Sequence, residues 1–329
     1  MSARAITLSI VACLAAMSLA VAFGTEPVSL ARAFQDPSSL DRVIMLDARL
    51  PRVLMGAIVG AGLAAVGVGF QAVLRNPLAE PYVLGVSGGS AFGATLAIVC
   101  GLTGTTVFGA SLVPVAALAG GVGATALVYF IARIGGSASG ASILLAGVVV
   151  NAIASAAITF VKTLLQASKA QELLRWLMGF LDVPSTTSLA FVALYVVLGV
   201  GILVFDSGRL NLLALGDESA THLGVDVRRL EHRTFFACSL VVAATVSVTG
   251  LIGFVGLVVP HALRRIVGPD VRVLLPASLF AGGATLVLCD LVSRALFRTL
   301  HTEPPVGAVT ALIGGPLFLV LLRRSPLRA

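Results

Sequence analysis

Long runs of apolar residues, separated by short polar stretches, dominate this chain from end to end. A helix needs roughly 20 apolar residues to cross the hydrocarbon core of a bilayer. The candidate runs, of which the eighth is short, are 5–24, 50–73, 83–101, 110–132, 140–161, 187–205, 234–254, 255–266, 273–296 and 306–322. The pattern predicts an all-α integral membrane protein with about ten spanning helices in a single domain, residues 1–329.

The first run also resembles a signal peptide, because Arg4 precedes it and Ala20-Val21-Ala22 is similar to a cleavage site. The run is long, and no soluble region follows it. We therefore expect it to remain as the first membrane helix.

Composition narrows the class of protein. Apolar residues make up 58% of the chain and charged residues only 11%, too few to cover a soluble globule of 329 residues. A membrane β-barrel would show short alternating segments instead of continuous apolar runs. The net charge of +7 comes from basic residues scattered between the runs, which argues against a nucleic-acid-binding face.

The scattered basic residues also predict the orientation. With ten spans, more arginines fall on the side that holds both termini, and basic loops face the cytoplasm. We expect a multi-pass protein of the bacterial cytoplasmic (inner) membrane with both termini inside.

Two stretches rich in glycine and proline predict broken helices, one in each half of the chain. They suggest an internal repeat, a common transporter design. Glycines spaced by four within the runs predict close helix packing, with a role in lining the pathway as the less favoured interpretation. The candidate pathway and helix-break residues are Gln71, Asn76, Pro77, Ser87, Gly88, Gly89, Gly253, Gly256 and Pro260.

The most charged stretch, 206–233, is predicted to be a cytoplasmic segment. Within it, Gly216 and Gly224 bracket about two helical turns, on which Leu215, Ala220 and Leu223 can form one small apolar face. A helix this short is not stable alone in water. It either packs on its own membrane domain or docks into a partner protein, and both interpretations stay open at this point.

The chain lacks the glycine-rich sequence and lysine of a P-loop, so we expect no ATPase site in this polypeptide. An ion-gradient-driven secondary transporter is the alternative, but such proteins usually carry acidic residues at span centres, and these are nearly absent here. A membrane-embedded enzyme is a further alternative. The four histidines and four cysteines have no ligand spacing, and no nucleophile–base pair is evident, so we predict no catalytic or metal site and no cofactor in this chain.

Several blocks of sequence resemble the FecCD-type permeases of ABC (ATP-binding cassette) importers for iron-siderophores, haem and vitamin B12. The resemblance runs collinearly from about residue 45 to the C-terminus. Its blocks are Arg49-Leu-Pro-Arg52, Asn76-Pro-Leu-Ala-Glu-Pro81, Leu84-Gly-Val-Ser87-Gly-Gly, Leu144-Leu-Ala-Gly147, Leu213-Ala-Leu-Gly216, Gly253-Phe-Val-Gly-Leu-Val-Val-Pro-His261 and Gly314-Gly-Pro316.

The resemblance implies a homodimeric permease with the pathway at the dimer axis. It also implies two separate ATPase subunits that bind ATP and Mg²⁺, a periplasmic substrate-binding protein and a metal-chelate substrate. The segment after Gly216 looks like the family's ATPase-coupling helix, carried here by Leu215, Gly216, Asp217, Glu218, Ala220, Leu223 and Gly224.

For Arg49, Arg52 and Arg294, the resemblance implies docking of the binding protein. Exposed arginines suit this role because they make bidentate contacts to carboxylates. The alternatives are that these arginines anchor helix ends at the lipid headgroups, and that Asp290 pairs with Arg294 one helical turn away.

Overall fold

The computed structural model describes residues 2–36, 38–102, 106–107, 110–133, 140–183 and 185–323. Eight helical segments in these ranges are long and apolar enough to cross a membrane, so the chain is a multi-pass membrane protein. They are α1 (Ser2–Ala22), the continuous segment Leu40–Val73 that ends in α4 (Leu50–Val73), α6 (Leu112–Arg133), α7 (Gly140–Thr163), α9 (Thr186–Leu213), α11 (Val227–Thr249), α13 (Val271–Leu300) and α14 (Val306–Arg323).

Two of the predicted spans form helices that are too short to cross a bilayer alone. They are α5 (Val86–Val99), where 83–101 was expected, and α12 (Val255–Val267). Each follows a long helix and a glycine-containing break, as the two predicted interruptions require. The break before α5 is a 3₁₀ turn, Pro81–Leu84, and the break before α12 ends at Phe254, which has a left-handed φ of 68°.

The remaining elements are short. Three of them precede or interrupt the early spans: α2 (Leu30–Gln35), α3 (Leu40–Val43) and a π-helical turn, Ile44–Arg49. Two-residue strands β1 (Thr106–Val107) and β2 (Ala110–Ser111) pair antiparallel before α6. Helix α8 (Ala167–Met178) lies between α7 and α9, and α10 (Asp217–His222) lies between α9 and α11.

Helix α4 is the central helix, and its glycines allow neighbouring backbones to approach it closely. A Cβ atom at Gly60 would overlap the carbonyl oxygen of Gly282 on α13, and one at Gly67 would overlap that of Gly256 on α12. Gly89 on α5 meets α6 at Gly120 in the same way. The predicted use of glycine for tight packing is therefore confirmed.

Polar contacts gather at two opposite ends of the helix bundle. One end, called here the Arg52 end, holds the C-termini of α1 and α13 and the N-terminus of α4, joined through Arg52, Asp290 and Arg294. The other, the Asp217 end, holds α10, the C-termini of α4 and α9 and the N-terminus of α13, joined through Arg75 and Asn211. Between these ends the outer helices expose large apolar side chains, such as Leu145, Phe160, Val197, Leu312 and Leu319.

Candidate coupling, transport and docking sites

The connection between α9 and α11 is shorter than the predicted segment 206–233. Helix α9 continues to Leu213 and α11 begins at Val227, so only 214–226 lies outside the two spanning helices. Ion pairs join the helix ends that flank this connection. The buried carboxylate of Asp206 on α9 pairs with Arg209 at 2.6 Å and with Arg233 on α11 at 3.2 Å. These ion pairs allow both helices to continue past the apolar core with their charges satisfied.

The three apolar residues that the sequence placed on one face of the α10 region differ in burial. Ala220 is fully buried against the bundle, whereas Leu215 and Leu223 are 63% and 57% exposed. Gly216 and Gly224 bracket the helix with φ values of 103° and 83°, which favour glycine. Asp217 and Glu218 are exposed in the first turn. The expectation of one shared face is therefore wrong: α10 rests on Ala220, and the leucines that flank it, Leu215 and Leu223, are exposed.

Arg75 joins this helix to the end of α4. Its backbone is left-handed, with φ of 49°, and its guanidinium lies 3.1 Å from Oδ1 and 3.2 Å from Oδ2 of Asp217. Both side chains are about half exposed, so the pair contributes little to stability. It does join Asp217, the first residue of α10, to Arg75, which precedes the first break.

The two predicted breaks meet inside the bundle. The N–H of Phe254 donates to Oε1 of Glu80 at 3.1 Å, and the N–H of Ile252 donates to the hydroxyl of Tyr82. The space between Pro81 and Gly256 is also closed, because a Cβ at Gly256 would lie 2.9 Å from the proline ring.

Nothing in the sequence pattern identified Glu80 and Tyr82 as partners of the second break. A signal was available, since an acidic residue inside a membrane domain is rare and usually has a specific partner. Asn151 on α7 was missed as well. Its side chain donates to the carbonyl of Tyr82 at 2.6 Å and accepts from the N–H of Gly88 at 3.0 Å, which fixes the start of α5.

The candidate pathway residues lie around this junction, and the amide side chains among them make hydrogen bonds within the protein. Gln71 is buried, donates to the carbonyl of Leu257 at 3.5 Å and accepts from Arg264 at 3.0 Å. Asn76 caps its own turn by accepting from the N–H of Leu78 at 2.9 Å. The rest lie next to the breaks, at the start of α5 or along α12: Pro77, Ser87, Gly88, Gly89, Gly253, Gly256 and Pro260. Their lining of a pathway stays a prediction.

The three arginines expected on the outer surface are not free surface groups. Arg49 and Arg294 are 6% and 3% exposed, and the side chain of Arg52 is 17% exposed. Arg52 pairs with Asp290 at 2.7 Å and with Glu303, and Arg294 pairs with Asp290 at 2.9 Å. The expectation of exposure is wrong, whereas the predicted Asp290–Arg294 pair is confirmed.

The partners of the arginines explain their burial. Arg49 donates to the carbonyls of Val21 and Ala22 at 3.0 Å each, and Arg294 donates to the carbonyls of Ala20 and Phe23. The last carbonyls of a helix have no partner within it, and cations near a C-terminus are favourable. The two arginines therefore cap α1, a role that sequence alone could not assign because the donors come from α13 and the turn before α4.

A cavity of about 380 Å³ lies beside α8, between the C-termini of α5 and α11. Its lining includes Trp176 and Phe180, with the ion pair Arg175–Asp182 at 3.3 Å on its rim. Among the residues that the structure describes, no group of three or more His, Cys, Asp or Glu side chains could hold a metal ion.

This chain is similar in sequence to permeases of known import systems. The model of the FecCD transport family matches residues 8–324. The cobalamin import system permease protein BtuC of Halobacterium salinarum is 41% identical over 88% of this chain and 75% of its own length. The hemin transport system permease protein HmuU of Yersinia pestis is 37% identical over 86% of this chain and 84% of its own.

The fold is also similar to that of a solved chain. That chain is described as a metal-chelate type ABC transporter in an inward-facing conformation. The TM-score is 0.85 at 32% identity, and the match covers 99% of this chain and 100% of the solved one.

Proposed function

The chain belongs to the FecCD transport family and is a permease of an ABC import system, and from that premise we propose that it carries a metal chelate on energy supplied by separate ATPase subunits. The relatives named for cobalamin and hemin support a chelate as the substrate class. Cobalamin, haem and a ferric siderophore are the candidate substrates.

We propose further that α10, with Leu215 and Leu223 exposed, is the contact for the ATPase. Two leucines exposed at the polar end of a bundle favour a protein partner, because water gives no free-energy gain for exposing them. Ala220 fixes the helix to the bundle, so a force applied to the leucines can reach the spans. The exposed leucines that flank α10 are the single observation that carries this assignment.

The Asp217 end would then face the cytoplasm, with both termini on that side of the inner membrane. The Arg52 end would face the periplasm and receive a substrate-binding protein. Because Arg49 and Arg294 are engaged with α1, their docking role would require new contacts in addition to the present ones. Arg52, at the edge of the network, is the best placed of the three for docking.

The family resemblance also supports a homodimer with the pathway at the dimer axis. Copurification of two differently tagged copies from native membranes would test the stoichiometry. Recovery of only one tag at all expression levels would contradict a dimer.

The test of function is reconstitution in proteoliposomes with the ATPase and binding protein, measuring ATP hydrolysis and uptake of each chelate. One chelate should stimulate both. Uptake driven by an ion gradient without ATP would instead support a secondary transporter.

The test of the ATPase contact is Leu223→Ser, which should weaken association of the ATPase subunits about tenfold or more, as loss of a buried apolar anchor does. Leu40→Ser, which changes a leucine at the Arg52 end that is even more exposed than Leu223, is the matched control and should leave that association unchanged. Unaltered association in Leu223→Ser would contradict the proposed contact.

A further inference from the structure

The connection between α4 and α5 contacts both the proposed ATPase helix and the second break. We infer that residues 75–82 form a transmission link, which carries displacement of α10 to the N-terminus of α12. This inference rests on the proposed contact of α10 with the ATPase, and it assigns Arg75, Glu80 and Tyr82 as positioning residues for coupling.

The first end of the link is Arg75. Its guanidinium reaches both carboxylate oxygens of Asp217, at 3.1 and 3.2 Å, and Asp217 is the first residue of α10. The pair contributes little to stability because both side chains are half exposed, but while it is formed it sets the distance between Arg75 and α10. When α10 moves, Arg75 must follow or the ion pair breaks.

The middle of the link is short and stiff. The N–H of Ala79 donates to the carbonyl of Asn76 at 3.1 Å, and the N–H of Leu78 donates to the Asn76 side chain. Pro77 and Pro81 fix their own φ angles. Ala79 is buried at 1% exposure. A segment with these restraints transmits a displacement instead of absorbing it.

The second end of the link is held by the N–H groups of the second break. Glu80 accepts from Phe254, and Tyr82 accepts from Ile252. The first N–H groups of a helix have no partner within it, so a carboxylate at this position is well placed to hold the start of α12. A change in the position of Glu80 therefore changes where α12 begins.

Helix α12 in turn contacts α14. The ring of Phe254 fills the space at Gly314, and His261 makes an edge contact with Phe318 at 5.9 Å between ring centroids. The route from α10 to α14 thus runs through the Arg75–Asp217 ion pair, the hydrogen bonds to the second break and the packing of Phe254 on Gly314.

The test of the first end is charge reversal in the assembled transporter. Arg75→Asp should keep the ATPase subunits bound and hydrolysing ATP, but the number of chelates carried per ATP should fall about fivefold or more, the lower range of site-to-site coupling. The double variant Arg75→Asp/Asp217→Arg should recover at least half of the lost ratio. A normal ratio in Arg75→Asp, or no recovery in a double variant that binds the ATPase normally, would overturn the link.

The test of the second end compares two changes at one position. Glu80→Gln retains an oxygen that can accept from Phe254 and should keep most of the coupling ratio, whereas Glu80→Leu should lose it about fivefold or more. Equal ratios in the two variants at equal thermal stability would count against the link. Asn211→Ala is the control, because it removes polar contacts between α9 and the start of α13 at the Asp217 end without touching the link, and its ratio should be unchanged.

These outcomes separate the link from the function it depends on. If Leu223→Ser leaves ATPase association intact, the proposed contact fails whatever the Arg75 variants do. If Leu223→Ser weakens association and Arg75→Asp transports normally per ATP, the contact stands and the link fails.

Discussion

At the scale of single residues, the role of an arginine side chain depends on its surroundings. Arg75 is half exposed and pairs with Asp217, whereas Arg294 is buried and pairs with Asp290. Sequence predicted the second pair because its members are one helical turn apart. It could not predict that Arg294 also reaches α1, since that contact spans 274 positions of the chain.

Removing the guanidinium of Arg294 should strongly destabilise the protein. Arg294→Gln leaves the carboxylate of Asp290 buried with one fewer cation, and breaking a buried ion pair costs about 3–5 kcal/mol. Thermal unfolding in detergent should show a lower midpoint, and adding Asp290→Asn should recover part of the loss. Arg32→Gln, with its guanidinium largely exposed, is the control. A midpoint equal to that of the control would reject the cap.

At the scale of elements, periodicity and composition predicted the long helices well. The boundaries were within a few residues for α4, α7 and α14, because apolar runs there end at charged or helix-breaking residues. Helix α9 continues several residues past its predicted end and α11 begins several residues before its predicted start, since Asp206 neutralises Arg209 and Arg233 there. The meeting of the two breaks was not predictable, because hydrogen bonds from Phe254 and Ile252 depend on tertiary contact.

The packing of α4 on α12 should not tolerate one added methyl group. In Gly67→Ala, the new Cβ would overlap the carbonyl oxygen of Gly256, a backbone atom that cannot rotate away. Overpacking of this kind costs about 1–3 kcal/mol. Gly201→Ala is the matched control, because nothing lies within 4 Å of the added Cβ on α9. Both variants would be compared by thermal unfolding, and equal stability would contradict the close packing described here.

At the scale of the whole molecule, the helices alternate between the two ends. The start of α1, helix α10 and the end of α14 all belong to the Asp217 end, whereas α8 lies in the half that contains the Arg52 end. Basic residues in the loops predict that the Asp217 end is cytoplasmic. This orientation is required for α10 to reach an ATPase.

Labelling of introduced cysteines tests the orientation. In a background with the exposed Cys100 replaced by alanine, Ser219→Cys on α10 should react with a membrane-impermeant maleimide only from the cytoplasmic side. Ser168→Cys on α8 should react only from the periplasmic side. Reversed labelling of this pair would invert the topology and remove the basis for the ATPase contact.

The arginine cap of α1 has a consequence for biosynthesis. The first helix leaves the ribosome long before Arg294 is made, 274 positions later. At roughly 5–20 residues per second, the carbonyls of Ala20 and Phe23 wait about 15–55 seconds for Arg294, whereas those of Val21 and Ala22 meet Arg49 much sooner. During that interval, lipid headgroups, water or an insertion chaperone must donate hydrogen bonds to these carbonyls. Premature termination before α13 would therefore leave an N-terminal fragment whose first helix is only partly capped, by Arg49 alone.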